Sequence, residues 1–278
     1  QLRDWQDTAP DVVIGMTGAE GHQAATLNPD GSIDASAIRA EYPHYPTMGG
    51  YDQMTARLGG VWDSLLSEGR RWWVTGVSDS HGHYTDGWAD FWPGQYAKTY
   101  VYAEKDYQSI FAALKAGNVF VTTGDLIDAL YVDVLVKNTG RKATLGETLL
   151  VSAEDELVLR VRFRDPDGKN GGGFQPQVQR VDVIQGVVSG PVQNRNSDEA
   201  PNTKVTKRFY AGDWQTKHGY SEFTLALGKV NHSGYLRLRG TNNKDEHEPE
   251  ADAKGENPWH DLWFYSNPVF IKLTDTKH

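Results

Sequence analysis

The chain has 278 residues, of which 38% are hydrophobic and 23% charged, and a formal net charge of -9. That length buries a substantial core in one large or two ordinary domains, and two are expected. It holds no run of about 18 apolar residues to span a bilayer, and its acidic balance argues against the clustered Lys and Arg that grip nucleic acid. Cysteine is absent, which removes disulfides, thiolate nucleophiles and Cys-ligated zinc, so any metal must sit on His, Asp or Glu.

Residues 12–14 (Val-Val-Ile) form a short β-branched run before Gly15. They read as a buried strand entering a loop through Gly18, Gly21 and His22. Pro43 and Pro46 with Gly49-Gly50 mark irregular chain. Over residues 51–68, Met54, Leu58, Val61, Trp62 and Leu65 recur at three and four, one face of a helix ending near Gly69. Residues 72–77 and 98–103 read as further strands. Asp106 is placed to cap a helix whose Tyr107, Ile110, Phe111 and Leu114 share a face and which Gly117 ends, and residues 118–123 follow as a strand. Strands alternating with helices indicate an α/β layer or barrel.

After about residue 127 the apolar period becomes two. Residues 131–137, 157–163, 178–185, 221–227, 235–240 and 269–273 read as strands with polar turns between them, which points to a β-sandwich. Gly171-Gly172-Gly173 reads as a hairpin tip. Residues 190–203 and the acidic stretch 242–257 read as surface loops. Asp245, Glu246, Glu248, Glu250 and Asp252 lack the spacing of a calcium loop, so a solvated charged loop is expected there.

Asp79-Ser80-His81 directly follows the apolar run 72–77. Ligand groups collect at the carboxyl ends of strands in α/β sheets. Asp79 and His81 can supply one oxygen and one nitrogen to a divalent cation, or can form a capped turn with a hydrogen-bonded His. No Gly-x-Ser-x-Gly elbow and no phosphate loop is present. The aromatic segment 88–96 then either lines a substrate mouth beside such a site or packs between domains.

Thr75-Gly76-Val77-Ser78-Asp79-Ser80-His81, then Lys98-Thr99-Tyr100-Val101, Ala112 through Gly117, and Val119 through Gly124 form an ordered series. It resembles the closing segment of PHP-domain (polymerase and histidinol phosphatase type) phosphoesterases. Trp263 through Pro268 looks like the end of the β-rich tail that exported members carry. The resemblance implies an α/β partial PHP-type (β/α)7 barrel over residues 1–127, followed by an all-β sandwich domain over 128–278. It makes Asp79 and His81 metal ligands. If the strand before His22 is the penultimate one of the barrel, His22 falls where the family places another ligand; otherwise it is a loop His. His83 is a candidate substrate contact or proton shuttle, or else an exposed turn residue. Glu20 is a further candidate for either of these two roles.

The family's opening His-x-His strand has no counterpart, since the His-x-His present is His81-Gly82-His83. The implied arrangement is therefore a barrel completed by an amino-terminal chain of the same precursor, cut after export. A periplasmic or extracellular location fits the absence of cysteine and the amino-terminal Gln1. The implied activity is phosphoester hydrolysis by a hydroxide activated on two or three divalent ions (Zn, Mn or Fe), acting on a small anionic or ester substrate. A carbamate or amide hydrolase on the same metals is a second reading. A noncatalytic glycan- or protein-binding subunit is a third.

Overall fold

A computed structural model describes residues 1–24, 26–39 and 44–274; Pro43 lies outside them. Helix α1 (Leu2–Thr8) precedes β1 (Gly15–Glu20), which starts where the apolar run 12–14 ends. One turn of helix, α2 (Gly21–Ala24), follows, then α3 (Gln53–Ala56), α4 (Val61–Ser67) and β2 (Trp73–Val77). The single helix expected over 51–68 is broken between α3 and α4. Gly59 sits at φ 71° there, a left-handed conformation that ends a helical run, and its carbonyl accepts from the Ala200 amide at 2.7 Å.

Strands β1 and β2 pair in parallel from Gly15 opposite Trp73 to Glu20 opposite Val77, with an irregularity between Thr17 and Ala19. The other edge of β2 is satisfied by side chains. Val74 N–H donates to Asn267 Oδ1 at 2.9 Å, and Asn267 Nδ2 donates to the Val74 carbonyl at 3.2 Å. Thr99 Oγ1 accepts from Gly76 N–H and donates to the Gly76 carbonyl, both at 2.7 Å. Two side chains thus do for β2 what a neighbouring strand would do.

The barrel expectation is overturned at the next elements. Strands β3 (Ala97–Val101) and β4 (Val119–Thr123) flank helix α5 (Tyr107–Ala116), yet they pair antiparallel, Ala97 opposite Thr123 and Val101 opposite Val119. Helix α5 is therefore an excursion at the tip of a hairpin and not a crossover between parallel strands. Its expected apolar face is largely uncovered, with Tyr107 84% and Phe111 63% exposed. The capping prediction does describe its ends: Asp106 Oδ1 accepts from Ser109 N–H at 2.9 Å, and Gly117 closes it at φ 76°. The described residues are 36% strand and 12% helix and contain no closed barrel. A strand-helix-strand pattern records the order of elements but not the direction in which the second strand runs.

The remaining strands are β5 (Ala129–Val136), β6 (Lys142–Ala143), β7 (Thr148–Val151), β8 (Glu156–Arg164), β9 (Arg180–Val187), β10 (Lys204–Tyr210), β11 (Gln215–Lys217), β12 (Tyr220–Lys229), β13 (Gly234–Thr241), β14 (Trp263–Ser266) and β15 (Val269–Leu273). A five-stranded sheet runs β11-β12-β8-β5-β6, and an eight-stranded sheet runs β10-β9-β13-β14-β4-β3 with β15 paired to β13 and β7 to β15. The larger sheet thus draws strands from both sides of residue 127. In β8, Leu157, Leu159, Val161 and Phe163 are buried while Arg160 and Arg162 are exposed, the period-two signature of one wet face. Every residue of β13 is buried, because both faces of this strand are covered. Leu236 and Leu238 belong to the apolar core, and on the opposite face Arg237 reaches Asp63 of α4 at 2.7 Å. The Gly171–Gly173 turn joins β8 to β9, which lie in different sheets, so it is an arch between layers and not a hairpin tip.

Asp165 lies in that same connection. Burial pushes its carboxyl up to about 6, opposed by the Val178 N–H and reinforced by Asp128. An unfolded Asp titrates near pH 4, so the native state binds the extra proton between about pH 4 and 6, and stability falls as pH rises through that window. Asp165→Asn keeps an acceptor for Val178 and removes the charge. It is expected to stabilise the protein by at most about 3 kcal/mol above pH 6 and by nothing near pH 4. Urea unfolding at both pH values checks this, and equal gains at both would show that charge is not the cause.

Candidate metal centre

Because β1 and β2 are parallel, their carboxyl ends lie side by side. Glu20, the last residue of β1, is opposite Val77, the last of β2. The two following loops are joined where His22 N–H donates to the Ser78 carbonyl at 2.8 Å. Gly21 allows that approach, since a Cβ there would lie 3.2 Å from the Ser78 oxygen. This junction brings His22 and His81 together, with ring centroids 5.1 Å apart and planes at 68°.

The carboxylate that joins them is Asp90. His22, His81 and Asp90 each offer a ligand atom, all within 4.8 Å of one another. Asp90 is 1% exposed and hydrogen-bonds through Oδ1 to His22 Nδ1. Its Oδ2 accepts from the backbone N–H of His81 and from that of Gly82, the latter at 2.8 Å. His81 Nδ1 is 3.5 Å from the same oxygen. Burial works to raise the Asp90 pKa, but the Gly82 and His81 amides and the His22 ring outweigh it and hold the carboxyl below its ordinary value. A carboxylate kept ionised against one imidazole nitrogen fixes the ring's tautomer and orientation. The donor set of two imidazoles and a carboxylate suits zinc, manganese or iron.

Asp79, predicted as a ligand, is not in this group. It is exposed and sits at φ 47°, in the left-handed region. His83, predicted to face substrate or to shuttle a proton, is 4% exposed. Both of its ring nitrogens are engaged, Nδ1 with Thr85 Oγ1 at 2.5 Å and Nε2 with Gln95 Oε1 at 2.9 Å. Its ring packs parallel to Trp92 at 4.6 Å, so it props the loop from within.

No protein-family model and no curated protein matches the chain. The site therefore stands on its own geometry. Sequence reasoning missed Asp90; the available signal was an acidic residue set among Trp88, Phe91 and Trp92, where a charge needs a buried partner. A second acidic group, Asp252, Glu256 and Asp261, lies in and after the stretch expected to be solvated. Fully buried Arg39 faces Asp252 at 3.4 Å and Glu256 at 3.2 Å. Asp252 also accepts from Thr47, Gly49 and Gly50, so a guanidinium already supplies the positive charge here.

Proposed function

We propose that this chain is a metal-dependent phosphoester hydrolase in which His22 and His81 hold a divalent cation, and Asp90 positions His22. The observation that carries this is the Asp90 arrangement: a buried, amide-anchored carboxylate bonded to one nitrogen of an imidazole that lies beside a second imidazole. The hydrolysis part of the reading rests on the resemblance of residues 75–81 to the metal-bearing strand end of phosphoesterase domains, since the later series 97–123 is an antiparallel hairpin. A bound divalent cation supplies Lewis acidity and lowers the pKa of water. The chain's own residues do the rest. Asp90 holds His22 in one tautomer, the His81 and Gly82 amides hold Asp90, and the His81 side chain, 60% exposed, presents its ring on the side open to substrate. Glu20, at the end of β1, is the proton-handling carboxylate of this reading.

Metal content and affinity, measured by elemental analysis and titration with zinc, manganese and iron(II), test the reading. His22→Ala and His81→Ala are expected to abolish stoichiometric binding, and Asp90→Asn to weaken it about 10- to 100-fold. Full metal content in both His variants would sink the assignment. Asp79→Asn decides between the two carboxylates, because metal loss there with retention in Asp90→Asn returns that role to Asp79.

A further inference from the structure

The loop between His81 and Gln95 sorts its aromatic side chains. Phe91 and Tyr96 are buried, stacked on each other at 4.7 Å and packed edge-on against Trp259. Trp88 and Trp92 are instead 63% and 52% exposed. Looseness does not explain that exposure. Tyr84 N–H donates to the Asp90 carbonyl, Asp90 N–H to the Gly82 carbonyl and Trp88 N–H to the His83 carbonyl, while Gln95 Oε1 ties His83 to the Trp92 amide. Trp88 lies directly on Gly82, where an added Cβ would come 2.5 Å from the indole. Trp92 has one face stacked on His83. A fixed loop thus turns two indoles toward water, one on Gly82 and one on His83, the two residues that follow His81, and large exposed aromatics beside a polar site mark a ligand surface. Asp79, just before this loop, and Asp86 within it are also exposed, so further negative charge on the ligand is disfavoured and an uncharged ring is favoured.

We infer that Trp88 and Trp92 form the binding face for a flat aromatic ring on the leaving-group side of the substrate, which makes the preferred substrates aryl phosphomonoesters. This rests on the hydrolase reading above. The test compares phenylphosphonate with methylphosphonate by isothermal titration of the metal-loaded protein, and phenyl phosphate with methyl phosphate in kcat/KM. Wild type, Trp88→Ala, Trp92→Ala and the conservative Trp88→Phe are measured, with metal content and thermal midpoint recorded for each. The phenyl-over-methyl preference is expected to drop about tenfold in either alanine variant, at unchanged metal content, and to persist in Trp88→Phe. An unchanged preference in both alanine variants, equal binding of the two phosphonates by wild type, or binding of neither overturns the inference and leaves the metal site standing. Absence of metal from wild type overturns the underlying reading instead.

Discussion

Asp63→Ala is expected to destabilise the protein by about 4 kcal/mol. Asp63 and Arg237 are both 0% exposed and pair through Arg237 Nε at 2.8 Å and Nη2 at 2.7 Å. The same carboxylate accepts from the Tyr235 hydroxyl at 3.0 Å and the Gly59 amide at 2.8 Å, and the guanidinium lies 4.7 Å from the Trp62 ring centroid. Truncation leaves a cation in a water-excluded layer without its counter-charge, and that uncompensated charge outweighs the ordinary loss of hydrogen bonds. If this account holds, Asp63→Leu combined with Arg237→Met recovers most of the loss, since the pair itself contributes little beyond neutralising its own burial. Urea unfolding of both single variants and the double variant measures the coupling. A double variant no more stable than Asp63→Leu alone would refute the charge argument.

Asn267→Ala comes next in size, at about 3 kcal/mol. Its amide serves Val74 N–H, the Val74 carbonyl and the Val119 carbonyl at 2.9 to 3.3 Å. Val74 is 1% and Val119 0% exposed, so water cannot replace the lost partners without opening the layer. The diagnostic readout is local. Amide exchange at Val74 should accelerate well beyond the change in global stability, whereas uniform acceleration across β2 and β4 would mean only that the whole fold had weakened.

How much of this was legible in the sequence depended on whether an interaction is local. The six strands expected after residue 127 follow from side-chain alternation, as in residues 157–163 and β8, because alternation is imposed by the strand on which it is read; β6, β7, β10, β11 and β14 lie outside the expected segments. The α5 caps are similarly local. Strand direction is not, and so the β3-α5-β4 series suggested a parallel unit where the strands are antiparallel. The helix over 51–68 failed at Gly59, whose left-handed turn is held by Ala200, far along the chain. At the candidate site, His81 could be found from its place after an apolar strand and His22 from the family resemblance. Asp90 could not, since nothing local shows that a loop will fold back until its carboxylate meets two amides and a ring.

The Asn267 contact with β2 also sets an order on synthesis. The two residues it joins are 193 positions apart, so a ribosome releasing about 5–20 residues per second exposes residue 74 about 10 to 40 seconds before residue 267 emerges. During that interval this edge of the β1-β2 ribbon has Thr99 but not Asn267 as a side-chain partner, and the loops bearing His22 and His81 hang from it. The contacts of the candidate centre itself all lie within the first third of the chain, so they can form before the Asn267 clamp closes on the strand beneath them.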